Sequence, residues 1–222
     1  MFRDRKEAGK KLALELDKYK NKNVLVLAIP RGGVEVGIEI ASYLDSDFDI
    51  LVSRKLPIPY NPEAGFGAIA EDGSIYLSKD AFLWVGKDDI ERIKKEQIKE
   101  IKRRIDVLRG DRPLTQVKGR IVILVDDGLA MGSTMYASIE YCWNKKAKKV
   151  IVAVPVSGKD VFYEIKQIVD EAYVLEMPYN FMAVAQSYLY WTDVTDEDVI
   201  ELMKKWKTHI GHNSHGSIIY DI

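Results

Sequence analysis

Asp126 and Asp127 stand side by side at the end of the apolar run Ile121-Val122-Ile123-Leu124-Val125. They are followed by Gly128-Leu129-Ala130-Met131-Gly132-Ser133-Thr134. An unbroken apolar run of this length suits a strand buried on both faces of a parallel sheet. Such a strand would carry two carboxylates to its carboxyl end, where a loop of small residues runs into a helix start. Backbone N–H groups from Ala130 to Thr134 would then converge on one centre, with the positive end of the helix behind them. Ser133 and Thr134 add hydroxyl donors, so the loop reads as a nest for a phosphate dianion. Two carboxylates beside a nest suit a sugar phosphate: its hydroxyls donate to the carboxylates while its phosphate takes the amides. The rival reading is an ordinary strand–loop–helix connection whose acid pair caps the helix or faces water. The Gly-Lys-Ser/Thr ending of a Walker-type loop is absent.

Other segments carry weaker chemistry when read alone. Pro30-Arg31-Gly32-Gly33 is a glycine turn in which Arg31 either meets an anion or faces solvent. Ser53-Arg54-Lys55-Leu56-Pro57 holds a basic pair, either a surface feature or a source of positive charge for a reaction centre. Phe181-Met182-Ala183-Val184-Ala185-Gln186-Ser187-Tyr188-Leu189-Tyr190-Trp191 is aromatic-rich and follows neither helical nor strand periodicity, and core packing is one reading of it. His209, His212 and His215 are three apart, but Gly211 and Gly216 argue against a helix there. That segment reads as a tail with weak adventitious metal affinity. Cys142, beside Trp143, reads as packed.

The elements that must position these residues alternate. Arg5–Tyr19 has Ala8, Leu12, Leu16 and Tyr19 at helical spacing. Val24–Ile29 and Phe48–Val52 read as strands around a helix from Val34 to Leu44. Ser53 to Gly67, with three prolines and two glycines, reads as loop. Ala68–Ala70 and Ser74–Leu77 flank the hairpin signal Asp72-Gly73. Lys87–Leu108 reads as a long helix with a solvated charged face and a buried isoleucine stripe; no chemistry is assigned to it, contact of its Arg103 and Arg104 with phosphate being the minor alternative. Strands at Arg120–Val125, Val150–Val154 and Ala172–Leu175 alternate with helices ending near Asn144 and over Val161–Ile168. A last helix, Thr195–Lys207, opens with a capping pattern. Strands alternating with helices predict a doubly wound α/β fold, with ligands at the carboxyl ends of the strands.

Composition bounds the function. A net charge of −1 over 222 residues gives no global field for nucleic acid or an anionic membrane. A single cysteine excludes an intramolecular disulfide framework and a cysteine-rich zinc site. No run approaches a membrane span and the first residues carry no signal-peptide core, so a cytoplasmic protein is expected. The first strand is not followed by the Gly-x-Gly-x-x-Gly turn of a dinucleotide oxidoreductase.

The order and spacing of apolar strand, Asp126-Asp127 and a loop ending Gly132-Ser133-Thr134 resemble the signature of type I phosphoribosyltransferases. That signature binds 5-phosphoribosyl-1-pyrophosphate (PRPP). The whole chain also resembles a poorly characterised group of archaeal and bacterial members. Met131 departs from the pattern, standing where the family usually has Thr. The resemblance implies a single domain over residues 1–222 with a mostly parallel sheet. It also implies a flexible loop and hairpin at about 53–80, an inserted charged helix at about 87–109, and a C-terminal hood at about 177–222. PRPP would be bound by Arg31, Gly32, Gly33, Arg54, Lys55, Asp126, Asp127, Gly128, Leu129, Ala130, Met131, Gly132, Ser133 and Thr134, with a cis peptide before Arg31. Asp126, Asp127, Arg31 and Lys55 would be catalytic. Phe181, Met182 and Ala183 would meet a nucleobase acceptor. Mg²⁺ would be held mainly by PRPP and water, and the protein would be a homodimer. Family members acting on 6-oxopurines carry Asp where this chain has Ala130, which disfavours those acceptors. A PRPP-binding regulator with little catalysis is the alternative.

Overall fold

The computed structural model describes residues 1–110 and 112–213. In chain order the elements are α1 (Arg5–Glu15), a 3-10 turn (Asp17–Tyr19), β1 (Val24–Ala28), α2 (Gly33–Leu44), β2 (Asp47–Ile50), β3 (Ser53–Ile58), β4 (Asn61–Ala70) and β5 (Ile75–Leu77). There follow α3 (Ala81–Trp84), α4 (Lys87–Arg109), β6 (Ile121–Val125), α5 (Ser133–Asn144), β7 (Lys149–Val156), α6 (Lys159–Lys166), β8 (Glu171–Glu176), a 3-10 turn (Val184–Ser187) and α7 (Asp196–Asn213). Among the described residues, no helix is long and apolar enough to cross a membrane.

Five strands pair in parallel in the order β2-β1-β6-β7-β8. The unbroken apolar runs follow from this arrangement, because successive side chains point to opposite, covered faces. On one face Val24, Val26, Ala28, Ile123 and Val125 pack against residues of α1, α2 and α7. On the other, Leu25, Leu27, Val122 and Leu124 pack against residues of α5. The chain runs outward from β1 to β2 on one side and continues from β6 on the other. The switch point therefore lies between β1 and β6, where a crevice opens past the strand ends. The loops leaving those two strands are Pro30–Gly32 and Asp126–Gly132.

The expected loop at Ser53–Gly67 is instead strand. β3 and β4 form an antiparallel pair extended by β5. Pro57 is tolerated because β3 is an edge strand and the register shifts on both sides of that residue. The hairpin and α4 share a separate core, in which Leu56, Phe66 and Ile69 meet Ile90, Ile93 and Ile101.

The last helix opens with a reciprocal cap: Asp198 N donates to Thr195 Oγ1 (3.1 Å) and Thr195 N to Asp198 Oδ2 (2.8 Å). Val199, Met203 and Trp206 enter the main core. This helix runs on through His209 and His212 to Asn213, so Gly211 does not end it as expected. One interior glycine costs only about 1 kcal/mol. His215 and Gly216 lie outside the described residues.

Candidate active site

Asp126 and Asp127 leave the end of β6 directly beneath the Pro30–Gly33 turn. Contact is close enough that side chains are excluded. A Cβ on Gly32 would overlap Asp127 Oδ2, and one on Gly33 would fall 2.9 Å from Asp126 Cα. Gly32 is therefore required by the Asp127 carboxylate, and Gly33 by the backbone at the end of β6. The peptide between Pro30 and Arg31 is cis.

The acid pair is electrostatically loaded. Asp127 N donates to Asp126 Oδ1 (2.9 Å), which turns that carboxylate back over the loop. Burial, and then the charge of Asp127, push the Asp126 carboxyl well above its ordinary range. Burial also raises Asp127, but a guanidinium opposes it. Arg5 Nε donates to Asp127 Oδ2 at 2.7 Å, with side chains 6% and 14% exposed respectively. Arg5 Nη1 donates to the Thr192 carbonyl (2.9 Å), and its Cζ lies 3.8 Å from the Trp191 ring centroid. Tyr188 completes the support by donating its hydroxyl to the Asp127 carbonyl (2.6 Å).

Past the acids, the loop is anchored to β7. Leu129 N donates to the Val156 carbonyl (2.9 Å), and Gly158 N donates to the Leu129 carbonyl (3.0 Å). The chain then turns through Gly132 at φ +70, a left-handed conformation that glycine adopts without a Cβ penalty. α5 starts there, and no side chain caps it. Its first-turn amides have no intrahelical partner, so they are left facing a cavity of about 260 Å³. The cavity is lined by Asp126, Gly128–Thr134, Val184 and, from the hairpin, Lys55 and Gly65. Met131 is 63% exposed at its rim.

A second cavity of about 350 Å³ shares Lys55 and Thr134 with the first and adds Pro30, Ser53, Pro57, Pro62, Arg54 and Arg104. Arg54 Nε donates to Gln97 Oε1 on α4 (3.1 Å). Burial, and then the Arg104 charge, lower the pKa of Arg54. One carboxylate, uncapped amides and cations thus line two cavities that adjoin at Lys55 and Thr134, an arrangement suited to a ligand with hydroxyls at its middle and anionic groups at its ends.

Not every residue singled out in the sequence lines these two cavities. Arg31, Gly32, Gly33 and Asp127 line neither; Arg31 Nη1 sits 3.7 Å from Asp196 Oδ1 at the start of α7. Phe181 packs against a small cluster that includes Phe2, Val156 and Tyr188. The Met182 and Ala183 amides donate to Gln186 Oε1 (2.9 and 3.1 Å), and it is Val184 that reaches the cavity. Sequence reading missed Arg5 and Tyr188. A signal existed for Arg5: it precedes Ala8 and Leu12 on the buried face of α1, where an arginine demands a carboxylate.

Residues 3–178 match the model of the phosphoribosyl transferase domain. The crystal structure of TT1426 from Thermus thermophilus is 36% identical and superposes with a TM-score of 0.79, covering 92% of this chain and 98% of that one. Two Mycobacterium tuberculosis proteins, Rv0571c of strain H37Rv and MT0597 of strain CDC 1551, are provisionally named as phosphoribosyl transferases. Each is 37% identical over 207 residues, which is 92% of this chain and 47% of the relative. The chain therefore spans about half the length of the curated relatives it matches. With the domain model covering most of its length, the chain belongs to the phosphoribosyltransferase family.

Proposed function

We propose that the protein transfers the 5-phosphoribosyl group of PRPP to a nitrogenous acceptor of the nucleobase class, releasing pyrophosphate. One observation carries this reading: Asp126, one of the buried acid pair, and an uncapped helix start share the wall of a single cavity. The amides of Ala130–Thr134 and the hydroxyls of Ser133 and Thr134 take the 5′-phosphate. Asp126 and Asp127 accept the ribose hydroxyls. A lone pair on the acceptor nitrogen forms the new bond to C1 as the C1–O bond to pyrophosphate breaks. The departing oxygen keeps that electron pair, and the acceptor's N–H proton passes to the released pyrophosphate or to water. Positive charge grows on the ring as the bond breaks, in the manner of glycoside chemistry. The two carboxylates favour that charge, while Lys55, Arg54 and Arg31 favour the negative charge on the leaving group. For Arg31 this requires leaving Asp196. Val184, with the adjoining Phe181–Ala183 segment, borders the acceptor side.

The donor set fits a Mg²⁺ that arrives on its substrate. Among the described residues no group of three or more His, Cys, Asp or Glu side chains gathers as a metal cage, whereas the charge-crowded Asp126 and Asp127 would be relieved by a nearby cation. When bound, the ion would neutralise the pyrophosphate oxygens. Ala130 places no carboxylate where a 6-oxopurine would need one, so orotate, uracil, adenine or a less usual base is the expected acceptor.

Pyrophosphate release from PRPP and Mg²⁺, measured across a panel of bases, tests the proposal. Release with a base other than hypoxanthine or guanine supports it, and efficient use of either of those two overturns the acceptor assignment. Tight PRPP binding with no release for any base would favour a PRPP-binding regulator. Failure to bind PRPP would refute both readings.

A further inference from the structure

We propose that Arg104, on the inserted helix α4, binds the pyrophosphate end of PRPP together with Arg54, a role that rests on the reading above. The second cavity meets the phosphate nest at Thr134 and Lys55 and runs from there to Pro30, Arg54 and Arg104. A ligand whose phosphate sits on the start of α5 can therefore extend its other end towards Arg104.

The wall of this cavity carries Arg54, Lys55 and Arg104 and no carboxylate. Glu100 pairs with both Arg103 (2.8 Å) and Arg104 (3.1 Å), Arg103 also meeting Asp196 (3.5 Å), and the hydrogen-bond partner of Arg54 is the neutral amide of Gln97. The Arg104 side chain is 15% exposed and commits its Nε to Glu100. The two terminal amino groups of its planar fork remain for an oxygen pair, the geometry that suits phosphate. Position is set by packing. Ile101, one turn earlier on the same face, is buried with Leu56, Phe66 and Ile69 of the hairpin. The insertion thus holds a guanidinium over the cavity rigidly, which a mobile loop alone cannot do.

The rival is an ordinary Glu100–Arg104 pair that only supports the helix. Isothermal titration of wild type, Arg104→Gln and Arg104→Lys with PRPP, inorganic pyrophosphate and ribose 5-phosphate separates the two. Arg104→Gln should weaken pyrophosphate and PRPP about tenfold, the worth of one charge-assisted hydrogen bond, and leave ribose 5-phosphate unchanged. Arg104→Lys keeps the charge but not the fork and should lose less than Arg104→Gln. Unchanged pyrophosphate affinity in Arg104→Gln, or equal losses for all three ligands, would overturn the role. Should Arg104→Gln fail to fold, Arg104→Lys decides alone: a loss confined to pyrophosphate and PRPP supports the role, and no loss overturns it. Failure of the wider reading looks different, because wild type would then bind pyrophosphate but not PRPP.

Discussion

The two walls of the cavity are built by opposite strategies. On the β6 side, Asp126 to Thr134 are consecutive, and most of what they offer is backbone: amides freed by a turn and by an uncapped helix start. On the α4 side, Arg54 and Arg104 lie fifty positions apart in the numbering and are brought together by a hairpin core with its own isoleucines. A phosphate nest needs small residues in a row, so it is written locally. A wall of guanidinium groups needs side chains held at a distance, so it exists only after tertiary packing.

If that division is right, changes on the β6 side should strike binding hardest. Replacing both Asp126 and Asp127 with Asn should reduce PRPP affinity about a hundredfold, two charged hydrogen-bond acceptors being lost, and abolish transfer. Titration calorimetry showing unchanged affinity would remove the ribose role. Next in size is Arg5→Met, which leaves Asp127 buried and unpaired. It should cost about 3 kcal/mol in urea unfolding, and adding Asp127→Asn should recover part of that loss.

Protonation gives a further test. Because the folded Asp126 carboxyl is raised by burial and by Asp127, its ionisation opposes folding. Its contribution to stability is best at low pH and declines as pH rises through the raised value. Binding needs the ionised form, so PRPP affinity should fall on acidification with a midpoint above the ordinary Asp value of 3.8. Asp126→Asn should raise the melting temperature at neutral pH while flattening this part of the affinity profile, as parallel calorimetry would show. The smallest effect belongs to the rim. Met131→Thr should restore one hydroxyl and tighten PRPP by roughly threefold, and no gain would mean that the backbone amides already saturate the phosphate.

The parallel sheet was legible because burial on both faces leaves unbroken apolar runs at β1, β6 and β7; the expected edge strands also occur, although Asp49 interrupts β2 and β8 is only half-buried. The turn at Asp72-Gly73 between β4 and β5 was legible as a hairpin signal, but β3 and the first half of β4 were not, because prolines and glycines usually signal loops. Here Pro57 sits at a register shift on an edge strand, and Gly67 sits where the Tyr76 carbonyl would overlap any Cβ. Both are long-range facts with no local trace. Likewise Arg104 reads as one more charge on a solvated helix until the hairpin is folded against it.

Arg5 ties together parts of the chain that are synthesised far apart. Its bonds reach Asp127 and Thr192, so residues near 5, 127 and 192 must all be present before the acid pair is neutralised. On a ribosome, the strands from β1 to β6 could pair while the carboxylates still lacked this counter-charge in its final clamp. A nick between Glu176 and Trp191 would leave the parallel sheet covalently whole yet loosen that clamp.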